Sequence, residues 1–158
     1  MSVYKIISGG QTGVDQAGLR AGKKLGLETG GWMPLGFKTQ SGPRRDFEAL
    51  YGMRQHTSPN YPPRTLANVN DADGTLIMGN SNSPGCRLTI KYCEQLRKPY
   101  CLVPRTVQQD GETIVRLWVN KVQPRVLNVA GNREESSPGI GKWAMNILCA
   151  ALAEGRTP

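Results

Sequence analysis

Three glycine-containing stretches hold most of the residues in this chain that are suited to grip a ligand. In the first, Ser8-Gly9-Gly10-Gln11-Thr12-Gly13-Val14-Asp15, the glycines permit positive φ and close backbone approach. The helix expected after it presents unpaired N–H groups and the positive end of its dipole, which suits a phosphate. The stretch matches neither the dinucleotide-binding GxGxxG nor the P-loop pattern, and Thr12 or Asp15 serves equally well as a helix cap. The second stretch, Gly79-Asn80-Ser81-Asn82-Ser83-Pro84-Gly85-Cys86, opens another helix with small side chains able to donate to anionic oxygens. Cys86 falls near that helix N-terminus, where a thiolate is favoured, but no base or resolving cysteine accompanies it, so an inert buried thiol is expected. In the third, Asn128, Gly131, Asn132, Glu135 and Ser136 close a loop whose Ser136-Ser137-Pro138-Gly139 reads as a helix start as readily as a ligand clamp.

Between the first two lies a long segment rich in Gly, Pro, Ser and Arg. Its Trp32, Pro34, Arg44 and Arg45 suit a cover over a planar anionic ligand, against the plainer reading of a tryptophan packed under the loop. Arg64, Asn68 and Thr65 fall near one face of a short helix, because positions three or four apart are neighbours; a solvated arginine is the alternative.

Several chemistries are hard to build from what remains. The single histidine, His56, has no partner at metal-ligand spacing, so neither a zinc site nor a histidine-dependent triad is expected. Cys86, Cys93, Cys101 and Cys149 lack the CxxC spacing of a redox or zinc site. Of the 12 acidic residues none falls in the second loop or the first turn of its helix, leaving Asp15, Glu134 and Glu135 as the nearest carboxylates. No catalytic residue and no metal ligand is assigned.

With 158 residues, 38% hydrophobic and 20% charged, the chain is expected to form one globular domain over 1–158, burying a core without disulfides. No apolar run is long enough to cross a bilayer, and MSVYKIISGG passes into an apolar strand without signal-peptide features, so a cytoplasmic location is expected. The net charge of +8 favours anionic partners. Because the arginines are dispersed and aromatic content is 6%, a small anionic ligand is expected rather than nucleic acid.

Strand-like runs alternate with segments of helical period, the pattern of a parallel sheet with crossover helices. Strands are expected at Val3 to Ile7, near Leu27 to Thr29, Thr75 to Met78, Tyr100 to Val103 and Val126 to Val129. Helices follow at Val14 to Leu25, Arg64 to Asn70, along Leu88, Tyr92 and Leu96, around Ile114 to Trp118, and from Ile140 to Ala151. The segment Gly30 to Pro63 reads as a long functional loop. The architecture expected is α/β, a Rossmann-like open, mainly parallel sheet of about five strands with helices on both faces. Ligands of such sheets sit at the carboxyl ends of the strands, where the three loops converge.

Together, SGGQTGVDQAGL, GGWMPLG, RTLANVNDADGTLIM and LNVAGNREESSPGI resemble the molybdenum cofactor carrier family, a Rossmann-like group related to the SLOG nucleotide-binding and lysine decarboxylase-like proteins. The resemblance implies binding of the molybdenum cofactor, a pterin with a phosphate and a dithiolene-held metal, for storage or hand-over to recipient molybdoenzymes. By the same carry-over Gly9, Gly10, Gln11, Thr12 and Gly13 lie on the site, with Arg64, Asn68 and the run Gly79 to Thr89, including Asn80, Ser81, Ser83, Gly85 and Cys86. A homo-oligomer is implied as well. Where the family tends to carry Gly-Gly-Thr, this chain has Pro84-Gly85-Cys86 and so lacks the threonine expected to contact phosphate.

Two other readings share the fold. A nucleoside monophosphate phosphoribohydrolase carries a PGGxGTxxE motif whose glutamate takes part in cleavage, but Pro84-Gly85-Cys86-Arg87-Leu88-Thr89-Ile90 has no acid there. Glu94 comes too late, since displacement along a helix changes the face on which a carboxylate points. The third reading is a nucleotide sensor without turnover. Binding without catalysis is the expectation.

Overall fold

The computed structural model describes residues 3–153. Six strands and six helices alternate along the chain: β1 (Lys5–Ile7), α1 (Val14–Lys24), β2 (Glu28–Met33), α2 (Phe47–Tyr51), β3 (Met53–Gln55), α3 (Tyr61–Asp71), β4 (Gly74–Met78), α4 (Pro84–Gln95), β5 (Tyr100–Val103), α5 (Gly111–Val122), β6 (Val126–Gly131) and α6 (Ile140–Leu152). All the pairings are parallel, in the order β3-β2-β1-β6-β4-β5. The Rossmann-like architecture expected from the sequence is present, with one strand more than expected.

The central strands read as unbroken apolar runs because helices cover both faces of the sheet. Ile6, Leu76, Ile77, Met78, Leu127 and Val129 are all fully buried or nearly so. On one face α1 packs against α6 and α6 against α5, with Val14, Ala17, Ala21, Ile140, Ala144 and Leu148 turned to the sheet. Across the sheet, α3 lies beside α4.

Topology brings three loops together. From β1 the chain winds outward to β2 and β3, and α3 carries it back past the starting strand to β4 and β5. The last strand, β6, then fills the gap between β1 and β4. The loops after β1, β6 and β4 therefore stand side by side at the carboxyl edge, at the reversal of strand order where open α/β sheets bind ligands.

The segment Gly30 to Pro63 is not one structureless loop. β2 runs on to Met33, and α2 and β3 close a small second core in which Leu19, Met33, Phe37, Phe47 and Met53 are buried and Tyr51 packs alongside. Its strand β3 was hidden in the sequence because its three residues, Met-Arg-Gln, have two exposed side chains and no alternation to read. The remaining helices and strands fall within a few residues of expectation.

Truncating Leu76→Ala in the centre of β4 should cost about 3.5 kcal/mol, the middle of the range for a buried leucine. Leu117→Ala, at a position 64% exposed on α5, should stay within about 0.5 kcal/mol. Urea unfolding of both variants checks the assignment of the core.

Candidate functional site

Helix α3 brings the first functional group. Asn60 precedes it and Pro62 and Pro63 occupy its first turn, where the missing N–H costs nothing. From that start Tyr61, Arg64, Thr65 and Asn68 recur at i, i+3, i+4 and i+7, so all four turn to one side and line a cleft. Gly9, Gln11 and Asp15 also line it, with Gly85, Cys86 and Thr89 of α4, Asn128 of β6 and Arg133 of the third loop. Its volume is about 100 Å³, below the roughly 300–1,000 Å³ of ordinary small-molecule sites.

The cleft is narrow because Arg64 lies across it. A Cβ placed on Gly9 would stand 2.6 Å from the Arg64 guanidinium carbon, so the glycine is what lets the arginine settle against the first loop. The side chain is 11% exposed, far from the solvated alternative. Its Nη1 donates to Thr65 Oγ1 at 2.5 Å, and Nη2 stands 3.8 Å from Asp15 Oδ2, an ion pair too long for a hydrogen bond. Arg64 Nε and Gln11 Nε2 are buried with no acceptor among the described residues. Burial lowers the guanidinium's affinity for its proton despite the carboxylate nearby.

Asp15 answers Arg64 from α1. Burial raises its pKa to about 6, against the opposing pull of Arg64, of the Gln11 and Gly9 amides and of Arg133. Its Oδ2 accepts the Gln11 N–H at 3.2 Å. Most amides of the first loop are already engaged within the protein. Gly10 N–H donates to Ser8 Oγ, Thr12 N–H to Gln11 Oε1, Val14 N–H to Asn132 O and Gln16 N–H to Gln11 O. The loop holds an anion of its own, the Asp15 carboxylate. Nor do Gly10 and Gly13 open toward a ligand. A Cβ on Gly10 would strike the buried Met33 thioether at 2.8 Å, and one on Gly13 would strike the backbone of Asn132 to Glu134, so both serve packing.

The second loop is ordered by Asn132. Its Oδ1 accepts Asn80 N–H at 2.6 Å, and its Nδ2 donates to Asn80 O and Ser83 Oγ, both at 3.1 Å. Ser83 caps α4 by accepting Cys86 N–H. This clamp divides the expected site residues. Gly85, Cys86 and Thr89 face the Arg64 cleft, whereas Gly79, Asn80, Ser81 and Ser83 line a separate hollow of about 540 Å³ beside Arg105 and Ser137. Gly85 N–H has no acceptor among the described residues and a Cβ there would meet open space, so α4 offers a helix-terminal amide to the cleft.

Other expected residues are spent on the protein itself. Asn68 lines the cleft, but its amide exchanges two hydrogen bonds with the Trp32 backbone, closing the edge of β2. Trp32 is not among the residues lining the cleft: its indole N–H donates to Asp71 and the Arg54 guanidinium stands 4.0 Å over its ring. Arg44 pairs with Asp46 and stacks on Phe47 at 4.3 Å. Thr12 donates to Glu135 Oε1 at 2.6 Å, away from the cleft. Glu134 accepts the Gly139 and Gly141 N–H groups, capping the start of α6. Cys86 is buried, and burial raises the pKa of its thiol.

Sequence reasoning missed Asn132 as the clamp, Arg133 as a cleft residue and Tyr61. The i, i+3, i+4, i+7 spacing from Tyr61 to Asn68 was a signal for the last; nothing local marks Asn132, whose side-chain partners are 46 to 52 residues away.

Two outcomes follow. Asn132→Ala should cost about 2 kcal/mol in urea unfolding, because the Asn80 N–H and C=O lose their partners. Asp15 contributes a pH dependence of known sign: with its pKa raised from 3.8 to about 6 in the folded chain, the stability it supplies is complete below pH 3.8 and lost as pH rises through 6. Unfolding measured from pH 4 to 7 should show this decline in the parent chain and not in Asp15→Asn.

A comparison with curated proteins found no match. Among solved structures, one from Syntrophus aciditrophicus SB, described as a "putative molybdenum carrier protein", aligns with a TM-score of 0.88 and 35% identity over 96% of each chain. Residues 6–152 match the model of the circularly permutated YpsA SLOG family. With nearly the whole chain matched and the same arrangement of strands and loops underneath it, this protein belongs to that SLOG family.

Proposed function

We propose that this chain is a binding protein that holds a small phosphate-bearing ligand in the Arg64 cleft, and that the ligand is the molybdenum cofactor, kept for hand-over to recipient molybdoenzymes. The observation that carries the reading is the state of Arg64: a buried guanidinium with one N–H unsatisfied, held by a loose 3.8 Å pair. A buried donor without an acceptor costs about 1–3 kcal/mol, which an anionic oxygen in the cleft would recover. Gln11 Nε2 and the Gly85 amide supply further donors for the same group. These residues fit a phosphate. The cleft does not enclose a whole pterin, so Arg64 swings aside or the ring lies outward toward Tyr61. The description of the Syntrophus protein supports the choice of cargo.

One observation favours a second reading, a nucleoside monophosphate phosphoribohydrolase. Asp15 is a cleft carboxylate that holds its proton to about pH 6, a property of general acids and bases. Against it stands the commitment of that carboxylate to Gln11 N–H and Arg64, and the engagement of Glu134 and Glu135 outside the cleft.

Mass spectrometry of ligand released from natively purified protein, with metal analysis, should find a phosphorylated pterin and molybdenum. Calorimetric titration with inorganic phosphate should show binding that Arg64→Met weakens by about tenfold or more, the scale of a lost charge-assisted hydrogen bond. Steady release of free base from a nucleoside monophosphate, in proportion to protein and abolished by Asp15→Asn, would instead establish the hydrolase. Light scattering that gave a monomeric mass at every concentration would reject the homo-oligomer carried with the carrier reading.

A further inference from the structure

Tyr61 stands at the rim of the cleft with three cations around its ring. Lys38 Nζ is 4.8 Å from the ring centroid, the Arg133 guanidinium carbon 4.9 Å and that of Arg64 5.3 Å. Each contact is favourable singly. Gathering three positive charges about one ring brings mutual repulsion, and Arg133 is among the groups that lower the Arg64 pKa.

Counter-charge is scarce. Asp15 is the one carboxylate lining the cleft among the described residues, and it faces Arg64. Arg133 donates instead to the neutral Gln40 Oε1 at 2.6 Å. Glu135 feels Arg133, but its oxygens accept from Thr12 and Ser41. Neither Lys38 nor Arg133 forms an ion pair among the described residues.

The fold holds these cations in place. The turn carrying Lys38 is closed by paired hydrogen bonds between Thr39 and Gly42 and tied to the first loop where Gln40 N–H donates to Gln11 Oε1 at 2.8 Å. Arg133 is anchored through its backbone, packed on Gly13. Two segments almost a hundred residues apart thus deliver charge to one ring, beside the Arg64 and Gln11 donors.

We propose that the cleft is built for two linked anionic groups, a diphosphate ester, with one phosphate on Arg64, Gln11 and the Gly85 amide and the other between Lys38 and Arg133 beside Tyr61. This rests on the anion-binding reading above and narrows its ligand class to a nucleoside diphosphate, a dinucleotide or a pterin joined through a diphosphate. A monophosphate on the inner donors would leave the outer cations uncompensated.

The test is calorimetric titration with inorganic phosphate and with pyrophosphate, at physiological ionic strength so that long-range attraction is screened. The parent chain should bind pyrophosphate about tenfold more tightly than phosphate, as expected for added charge-assisted contacts. In the doubly substituted Lys38→Gln, Arg133→Gln chain that ratio should fall to near one. A second chain, Lys23→Gln with Lys24→Gln, loses the same charge from exposed positions at the far end of α1 and should keep the ratio. Equal affinities in the parent, or equal loss of preference in both double variants, would overturn the diphosphate while leaving a phosphate site intact. Binding of neither ion would remove the anion site itself and this inference with it.

Discussion

The buried pairing of Asp15 with Arg64 is the constraint around which the carboxyl edge of the sheet is arranged. Two opposite charges have been taken out of water, and at 3.8 Å they recover only part of what that costs. The remainder is made up locally. Asp15 accepts an amide of the first loop, Arg64 reaches Thr65 on its own helix, and Gly9 leaves room for the guanidinium to lie flat against the backbone. Remove any of these and a charge is stranded in a site with little water to receive it. The first loop thus takes its shape from the acid on the following helix, not from a ligand.

A second dependence links the loops to one another. The third loop gives Asn132 to the second, its backbone carbonyl to Val14 at the start of α1, and Glu135 to Thr12. Gly13 and Gly131 are the close approaches that make this possible, the one against the backbone of the third loop and the other against Met78 O at the end of β4. Because β6 is the last strand in sequence and sits between β1 and β4, the loop that follows it is flanked by both others. Chain order and strand order together explain why a single asparagine can order a loop 52 residues upstream.

Much of this was legible in the sequence, and what was not has identifiable causes. Strand and helix positions followed from apolar period, since parallel strands covered on both faces leave continuous runs such as Thr75 to Met78. Three loops with glycines after strands located the carboxyl edge. The role of each loop was less visible, because glycine spacing is the same whether a close approach admits a ligand or a neighbouring loop. Gly9 and Gly13 are four residues apart, and the one admits the Arg64 side chain while the other admits the backbone of the third loop. Asp15, for which capping was one of two open readings, is not the N-cap of α1; that position is Gly13, and the carboxylate turns back into the loop. The partners that decide such cases lie tens of residues away, and no local pattern records them.

A built-in anion also bears on what the cleft selects. Any ligand that engages Arg64 competes with Asp15 for it, so the gain from a new contact is reduced by the loss of an old one. Weak or singly charged anions profit little from that exchange. A ligand prevails when it offers Arg64 more than one oxygen, satisfies the idle Nε and Gln11 Nε2 together, or brings charge to the outer cations that Asp15 does not reach. On the proposed reading, a ligand that drew Arg64 away would leave the carboxylate without its counter-ion in a buried place, which favours the protonated form of Asp15. On that reading, discrimination in this cleft would arise from internal competition: the protein sets a threshold with its own acid, and an anion has to exceed it.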